Sequence, residues 1–159
     1  MKAERDPAEV RGIPEYAGRI LIVEDDSDNA ESIAKILECW GYQTRIEADS
    51  LAALEAMQSF VPDLVLLDLG LPSIDGYEVA KRIRRMSRFA RTPIACVTAH
   101  GFPEHRRKSA EAGCNAHLLK PVDYDELKKM IAIFLAQSAK RANATAEGRT
   151  DHAAGAAGG

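Results

Sequence analysis

DLVLLD (63–68) is the stretch that decides the fold of this chain. Two acids flank four consecutive apolar residues, Leu64 to Leu67. Four residues are too few for a core helix, and the lack of polar alternation marks a strand buried on both faces. Burial on both faces is characteristic of parallel sheets covered by helices. Similar short runs stand on either side: RILIVE (19–24), TRIEA (44–48), PIACVT (93–98) and AHLLK (116–120). Amphipathic stretches separate them. In 27–40, Ala30, Ile33, Ala34, Leu37 and Trp40 form an i, i+3, i+4 stripe. In 123–136 the stripe is Leu127, Met130, Ile131, Phe134 and Leu135, opened by Asp123 with Glu126 three residues on. Segment 103–112 (PEHRRKSAEA) predicts a weaker, polar helix, and Gly113 stands where it should stop. Five strands alternating with helices predict an α/β fold. Right-handed crossovers then give a five-stranded parallel sheet, doubly wound, with helices on both faces.

The 159 residues suit one domain with tails. Residues 1–18, with Pro7, Gly12, Pro14 and Gly18, read as a flexible N-terminal extension. Residues 19–136 form the domain, and 137–159, rich in Ala and Gly, read as a disordered tail. A domain of this size buries about two-thirds of its unfolded surface and needs no disulfide or metal to fold. Net charge is −3, which gives no bulk drive toward DNA or membrane. The chain start lacks the apolar core of a signal peptide, and no run is long enough to span a bilayer. Cys39, Cys96 and Cys114 share no C-x-x-C spacing and read as reduced packing residues of a cytoplasmic protein.

In an open parallel sheet, ligands bind beyond the carboxyl ends of the strands. The first strand runs into Glu24-Asp25-Asp26, the third ends in Asp68, the fourth in Thr98, and the fifth in Lys120-Pro121. Each alone has an ordinary structural role: turn acid, helix cap, strand residue, surface lysine. Together they put acids, a hydroxyl and an ammonium on one rim. Clustered carboxylates repel one another, and a cation relieves the repulsion. Oxygen ligands suit Mg2+, which favours a phosphate partner. With Lys120 and Thr98 to neutralise equatorial phosphoryl oxygens and a carboxylate as nucleophile, the set suits phosphoryl transfer to form an acyl phosphate.

Residues 19–136 resemble the receiver domain of two-component response regulators. The motifs that carry the likeness are ILIVEDD (20–26), LVLLDLGLPSIDGYEV (64–79), PIACVTA (93–99) and HLLKPVD (117–123). The resemblance implies a flavodoxin-like sheet of order 2-1-3-4-5. It implies that Asp68 is the phosphoacceptor, and that Asp25, Asp68 and the Gly70 backbone carbonyl bind Mg2+, with Glu24 reaching it through water. It implies that Thr98 bonds the phosphoryl oxygens and switches conformation, that Lys120 pairs with the phosphoryl group, and that Lys120–Pro121 is cis. Asp75-Gly76 would shape the turn after the third strand. The implied partners are a histidine kinase or histidine phosphotransfer protein as donor, and a protein target.

One position departs from the usual pattern. Three residues before the lysine, where Tyr or Phe is usual, stands His117. The HLxKP form is similar to receivers attached to hybrid histidine kinases. His117 then reads either as the second switch residue, in place of the usual ring, or as an outward residue that contacts a partner. His100, two after Thr98, could rim the site. No DNA-binding module is visible after Lys120, so the chain reads as a stand-alone regulator acting by protein contact. The run His105-Arg106-Arg107-Lys108 reads as a solvated helix face. Two alternatives remain: a phosphate sink or shuttle without output, or a Mg2+-dependent phosphatase of haloacid-dehalogenase type. The phosphatase needs a second Asp two residues after its nucleophile, and that position is Gly70. The reading is therefore not an enzyme, beyond self-phosphorylation from phosphohistidine and autodephosphorylation.

Overall fold

The computed structural model describes residues 18–156, and side chains from 18 to 140. Five strands form one parallel sheet: β1 (Arg19–Val23), β2 (Gln43–Glu47), β3 (Leu64–Asp68), β4 (Ile94–Thr98) and β5 (Ala116–Leu119). Their order is β2-β1-β3-β4-β5, the doubly wound α/β arrangement that the sequence predicts. Five helices connect and close it: α1 (Ser27–Cys39), α2 (Ser50–Phe60), α3 (Gly76–Arg85), α4 (Pro103–Ala112) and α5 (Tyr124–Ala156). A short 3-10 turn at Ser87–Phe89 precedes β4.

The strand period of two divides the core into two layers. Leu21, Val23, Val65, Leu67, Ile94 and Cys96 face α2, α3 and α4. Ile20, Ile22, Leu64, Leu66, Ala95 and Val97 face α1 and α5. All five β3 residues are buried, as expected of the central strand, whereas β2 and β5 at the edges are partly open. Each fully buried Leu or Ile contributes about 1.5–3 kcal/mol, so these layers supply most of the drive to fold.

Side chains fix where the helices begin. Asp26 caps α1 by accepting from the Asn29 amide, Asp49 caps α2 from Leu51 and Ala52, and Asp75 caps α3 from Glu78. Asp123 accepts from the Asp125 and Glu126 amides at the start of α5. Gly113 ends α4 with φ of 104°, a left-handed conformation that favours glycine. Gly76 is required for another reason: a Cβ there would lie 2.7 Å from the Asp68 carbonyl oxygen and 2.6 Å from the Leu69 Cα. The turn after β3 therefore closes directly beneath Asp68.

Two sequence expectations differ from the structure. The helix read over 123–136 continues through Ala156, into the stretch read as a tail, where Ala, Lys, Arg and Gln have high helix propensity. Residues 1–17 and 157–159 lie outside the described residues. The cysteines do not all remain free thiols. Cys96 and Cys114 are disulfide-linked, with Cα atoms 6.3 Å apart, while Cys39 is free and exposed. The crossover through α4 returns the chain to β4, a closure over 18 residues that no short cysteine spacing announces. Among the described residues no helix is long and apolar enough to cross a membrane.

Candidate functional site

The parallel arrangement brings the carboxyl ends of β1, β3, β4 and β5 to one edge. β1 and β3 are adjacent although β2 lies between them in the chain, so the crossovers diverge between these two strands. That divergence opens a crevice at the strand ends. Asp68 closes β3 and Thr98 closes β4, both 6% exposed. Glu24 follows β1 at 4% exposure, and its amide donates to the Glu47 carbonyl of β2. Lys120 follows β5, and its amide donates to the Thr98 carbonyl. The sheet ladder itself thus sets the positions of the site residues.

Lys120 Nζ lies 3.1 Å from Glu24 Oε2 and 3.1 Å from Asp68 Oδ2. Glu24 also accepts from the Asp26 amide and the Asn29 side chain, both at 3.2 Å. Asp68 Oδ1 accepts from the Gly70 amide at 2.9 Å. Burial pushes the Glu24 carboxyl above its ordinary range, with the nearby Asp68 charge acting in the same direction; hydrogen bonds from Lys120 and Asp26 offset this only in part. Burial opposes the Lys120 ammonium, but hydrogen bonds to Glu24 and Asp68 and their charges outweigh it, so this lysine titrates above the usual range. A raised carboxyl beside a charged partner is the electrostatic pattern of a site built to receive more positive charge.

Oxygen atoms of Glu24, Asp25 and Asp68 come within 4.8 Å of one another. Asp25 is exposed at the mouth, whereas the other two carboxylates are buried. Three carboxylates with no sulfur or imidazole form a donor set for a hard divalent cation such as Mg2+, so the residues fit the ion that the sequence implies.

A cavity of about 310 Å3 opens beside Asp68, lined by Gly70, Thr98, His100, His105 and Lys120 among others. His100 does rim the site. His105, read from sequence as part of a solvated face, lines the cavity as well, while Arg106, Arg107 and Lys108 are exposed. Its ring stacks on His100 with centroids 5.3 Å apart. Nothing in the local sequence marks the pair, because the turn before α4 creates it. Thr98 Oγ1 accepts from the His100 amide at 3.1 Å.

His117 lies outside the cavity, half-buried between β5 and α4. Its Nε2 donates to the His100 carbonyl at 3.2 Å, and its Nδ1 is 3.1 Å from the buried Ser109 hydroxyl. It therefore ties the β4–α4 loop to α4. The Lys120–Pro121 peptide is cis, as the resemblance implies.

Residues 20–132 match the family described as response regulator receiver domain. This chain belongs to the receiver domain family. The receiver is 32% identical over 129 residues to the response regulator Rre1 of Synechocystis, a match covering 80% of this chain and 56% of Rre1. It is 34% identical over 115 residues to the sensor histidine kinase RcsC of Salmonella typhi, covering 72% of this chain and 12% of RcsC. The chain thus spans only part of each of these curated relatives. Among solved structures, it resembles the receiver domain of the sensor histidine kinase PA1611 of Pseudomonas aeruginosa, with a TM-score of 0.70 and 31% identity. That match covers 75% of this chain and 98% of the other, whose structure holds a magnesium ion in its active-site cleft. As a receiver domain, this chain is a phosphoacceptor module of two-component signalling.

Proposed function

We propose that Asp68 takes the phosphoryl group, from a phosphohistidine on a histidine kinase or phosphotransfer protein, in a Mg2+-dependent reaction. The observation that carries this reading is the placement of Asp68. Its carboxylate is buried at the strand-end crevice, held by Lys120 on one oxygen and by the Gly70 amide on the other, with Thr98 on the neighbouring strand end. A carboxylate oxygen attacks phosphorus, the bond to the donor imidazole nitrogen breaks, and an aspartyl phosphate forms. Lys120 and the Thr98 hydroxyl neutralise the oxygens of the transferred group. Asp25, Asp68 and the Gly70 carbonyl would hold the Mg2+, with Glu24 reaching it through water, and the ion when bound would neutralise phosphoryl charge.

Phosphate attached at Asp68 draws Thr98 inward, and His117 is the second switch residue through its link to the His100 carbonyl. The new charge biases two packings of the β4–α4 segment, and a protein partner reads the result. Gly70 has no side chain to act as general acid or base beside Asp68, which argues against phosphatase turnover and for self-phosphorylation and autodephosphorylation alone. We place the domain in the cytoplasm, where such donors operate. The test is incubation with Mg2+ and a small acyl phosphate. The wild type gains one phosphoryl group, labile to base and hydroxylamine, and Asp68→Asn gains none. Equal labelling of the variant would overturn the assignment.

A further inference from the structure

We propose that Cys96 and Cys114 form a reversible redox crosslink that pins α4 and the β4–α4 loop to the sheet, a modification site separate from the phosphoryl crevice. Its natural co-reactant is a small-molecule disulfide of the glutathione class. Three observations lead there. First, the two residues sit at opposite ends of one continuous segment of the chain. Cys96 is in the middle of β4, two residues before Thr98, and Cys114 directly follows the Gly113 stop of α4. The closed loop, with its cysteines 18 apart in sequence, encloses Thr98, His100, His105 and the whole of α4. Second, Cys96 lies opposite His117 in the β4–β5 register, so the crosslink sits beside the residue that ties the loop to α4. Third, the two cysteines differ in access. Cys96 is fully buried in the core layer beneath α4, whereas Cys114 is half-buried against the edge of that layer.

That asymmetry assigns the steps. The Cys114 thiolate attacks one sulfur of the small disulfide, and the first thiolate leaves with the proton that Cys114 gave up. A mixed disulfide remains on Cys114. The Cys96 thiolate then attacks the Cys114 sulfur, and the second small thiol leaves with the proton from Cys96. Two protein thiols become one disulfide as one small disulfide becomes two thiols, so atoms and electrons balance. Excess thiol reverses both steps. A Cα separation of 6.3 Å lies within the usual disulfide range.

Closing the bond limits movement of the segment that responds to charge at Asp68. This last consequence rests on the phosphoacceptor reading above, and the measurements separate the two. The full chain carrying Cys39→Ser, which removes the exposed thiol, is equilibrated with mixtures of reduced and oxidised glutathione. Alkylation and mass spectrometry then count free thiols. Cys96 and Cys114 should disappear together as the mixture is made more oxidising. Two thiols that stay alkylatable, or a mixed disulfide that accumulates only on Cys114, overturn the proposal.

Hydrogen exchange of the amides over 99–112 is compared between the two forms, and should slow by at least about threefold on oxidation. Unchanged exchange also overturns it. Finally, beryllofluoride with Mg2+, a phosphoryl mimic, should bind the oxidised form at least about fivefold more weakly than the reduced form, a coupling of ordinary allosteric size. Equal affinity refutes the pin as a regulator. Failure of the reduced form itself to bind beryllofluoride refutes the phosphoacceptor reading instead, and the thiol count and exchange rates still decide the crosslink. Cys114→Ser, which preserves size and cannot crosslink, should match the reduced protein in amide exchange and in beryllofluoride affinity.

Discussion

Replacing Lys120 with Met keeps the aliphatic stem and removes the ammonium that pairs with both Glu24 and Asp68. The two carboxylates, buried at 4% and 6% exposure, then face each other with oxygens within 4.8 Å. At the effective dielectric suited to such sites, two unit charges at that distance repel by about 3.5 kcal/mol. Proton uptake limits the cost. Glu24 already titrates high through burial, and protonating an ordinary glutamate at pH 7 costs about 3.5 kcal/mol, which sets a ceiling. Lys120 is itself 29% exposed, so water screens part of the attraction that is lost.

The expected loss is about 2 kcal/mol in metal-free buffer, or roughly 8 °C in melting temperature for a domain of this size. Saturating Mg2+ supplies the missing positive charge and should shrink the deficit below about 1 kcal/mol. The lysine's folded pKa is raised, so its contribution is complete below the ordinary value of about 10.4 and is lost as pH rises through the higher folded value. The advantage of wild type over variant should therefore narrow only in strong alkali. Urea unfolding of both proteins, in EDTA and in Mg2+, checks each step. A variant as stable as wild type in EDTA, or a deficit that Mg2+ leaves unchanged, would refute the electrostatic account.

Asp25→Asn should remove most of the rise in melting temperature that millimolar Mg2+ gives the wild type, while leaving the metal-free protein equally or more stable, because it eases carboxylate repulsion. A full Mg2+ response in the variant would remove Asp25 from the ligand set. Arg84→Met should destabilise by about 3 kcal/mol in urea unfolding, since its acceptors lose a charged donor. Those acceptors are the carbonyls of Phe89, Thr92 and Gly113 and the side-chain oxygen of Asn115, at 2.7–3.1 Å. A loss below about 1 kcal/mol would show that water replaces the guanidinium at no great cost. His117→Phe should lose about 1 kcal/mol, because the His100 carbonyl loses its donor and the Ser109 hydroxyl keeps only the Arg106 carbonyl. It should also enlarge the amide shifts that beryllofluoride causes in β5, and equal shifts in both proteins would exclude His117 from the switch.

The sequence by itself determined the layered fold and the strand-end residues. Leu64 to Leu67 can be buried on both faces only in a helix-covered parallel sheet, and residues that end parallel strands must share one edge. Glu24, Asp68, Thr98 and Lys120 were legible for that reason, since their positions follow from backbone direction alone. What tertiary structure decided was contact between segments with no shared period. The stacking of His100 on His105 depends on how tightly the turn before α4 closes, and the side chains of 105–108 do not betray which one points inward. The bond of His117 to Ser109 depends on how far α4 lies from β5. The meeting of Cys96 with Cys114 depends on a crossover that returns the chain to its own strand. Periodicity fixes which face a residue occupies. Only packing fixes what stands opposite, because side-chain contact needs distances accurate to about an ångström, and the crossing of two elements sets those distances.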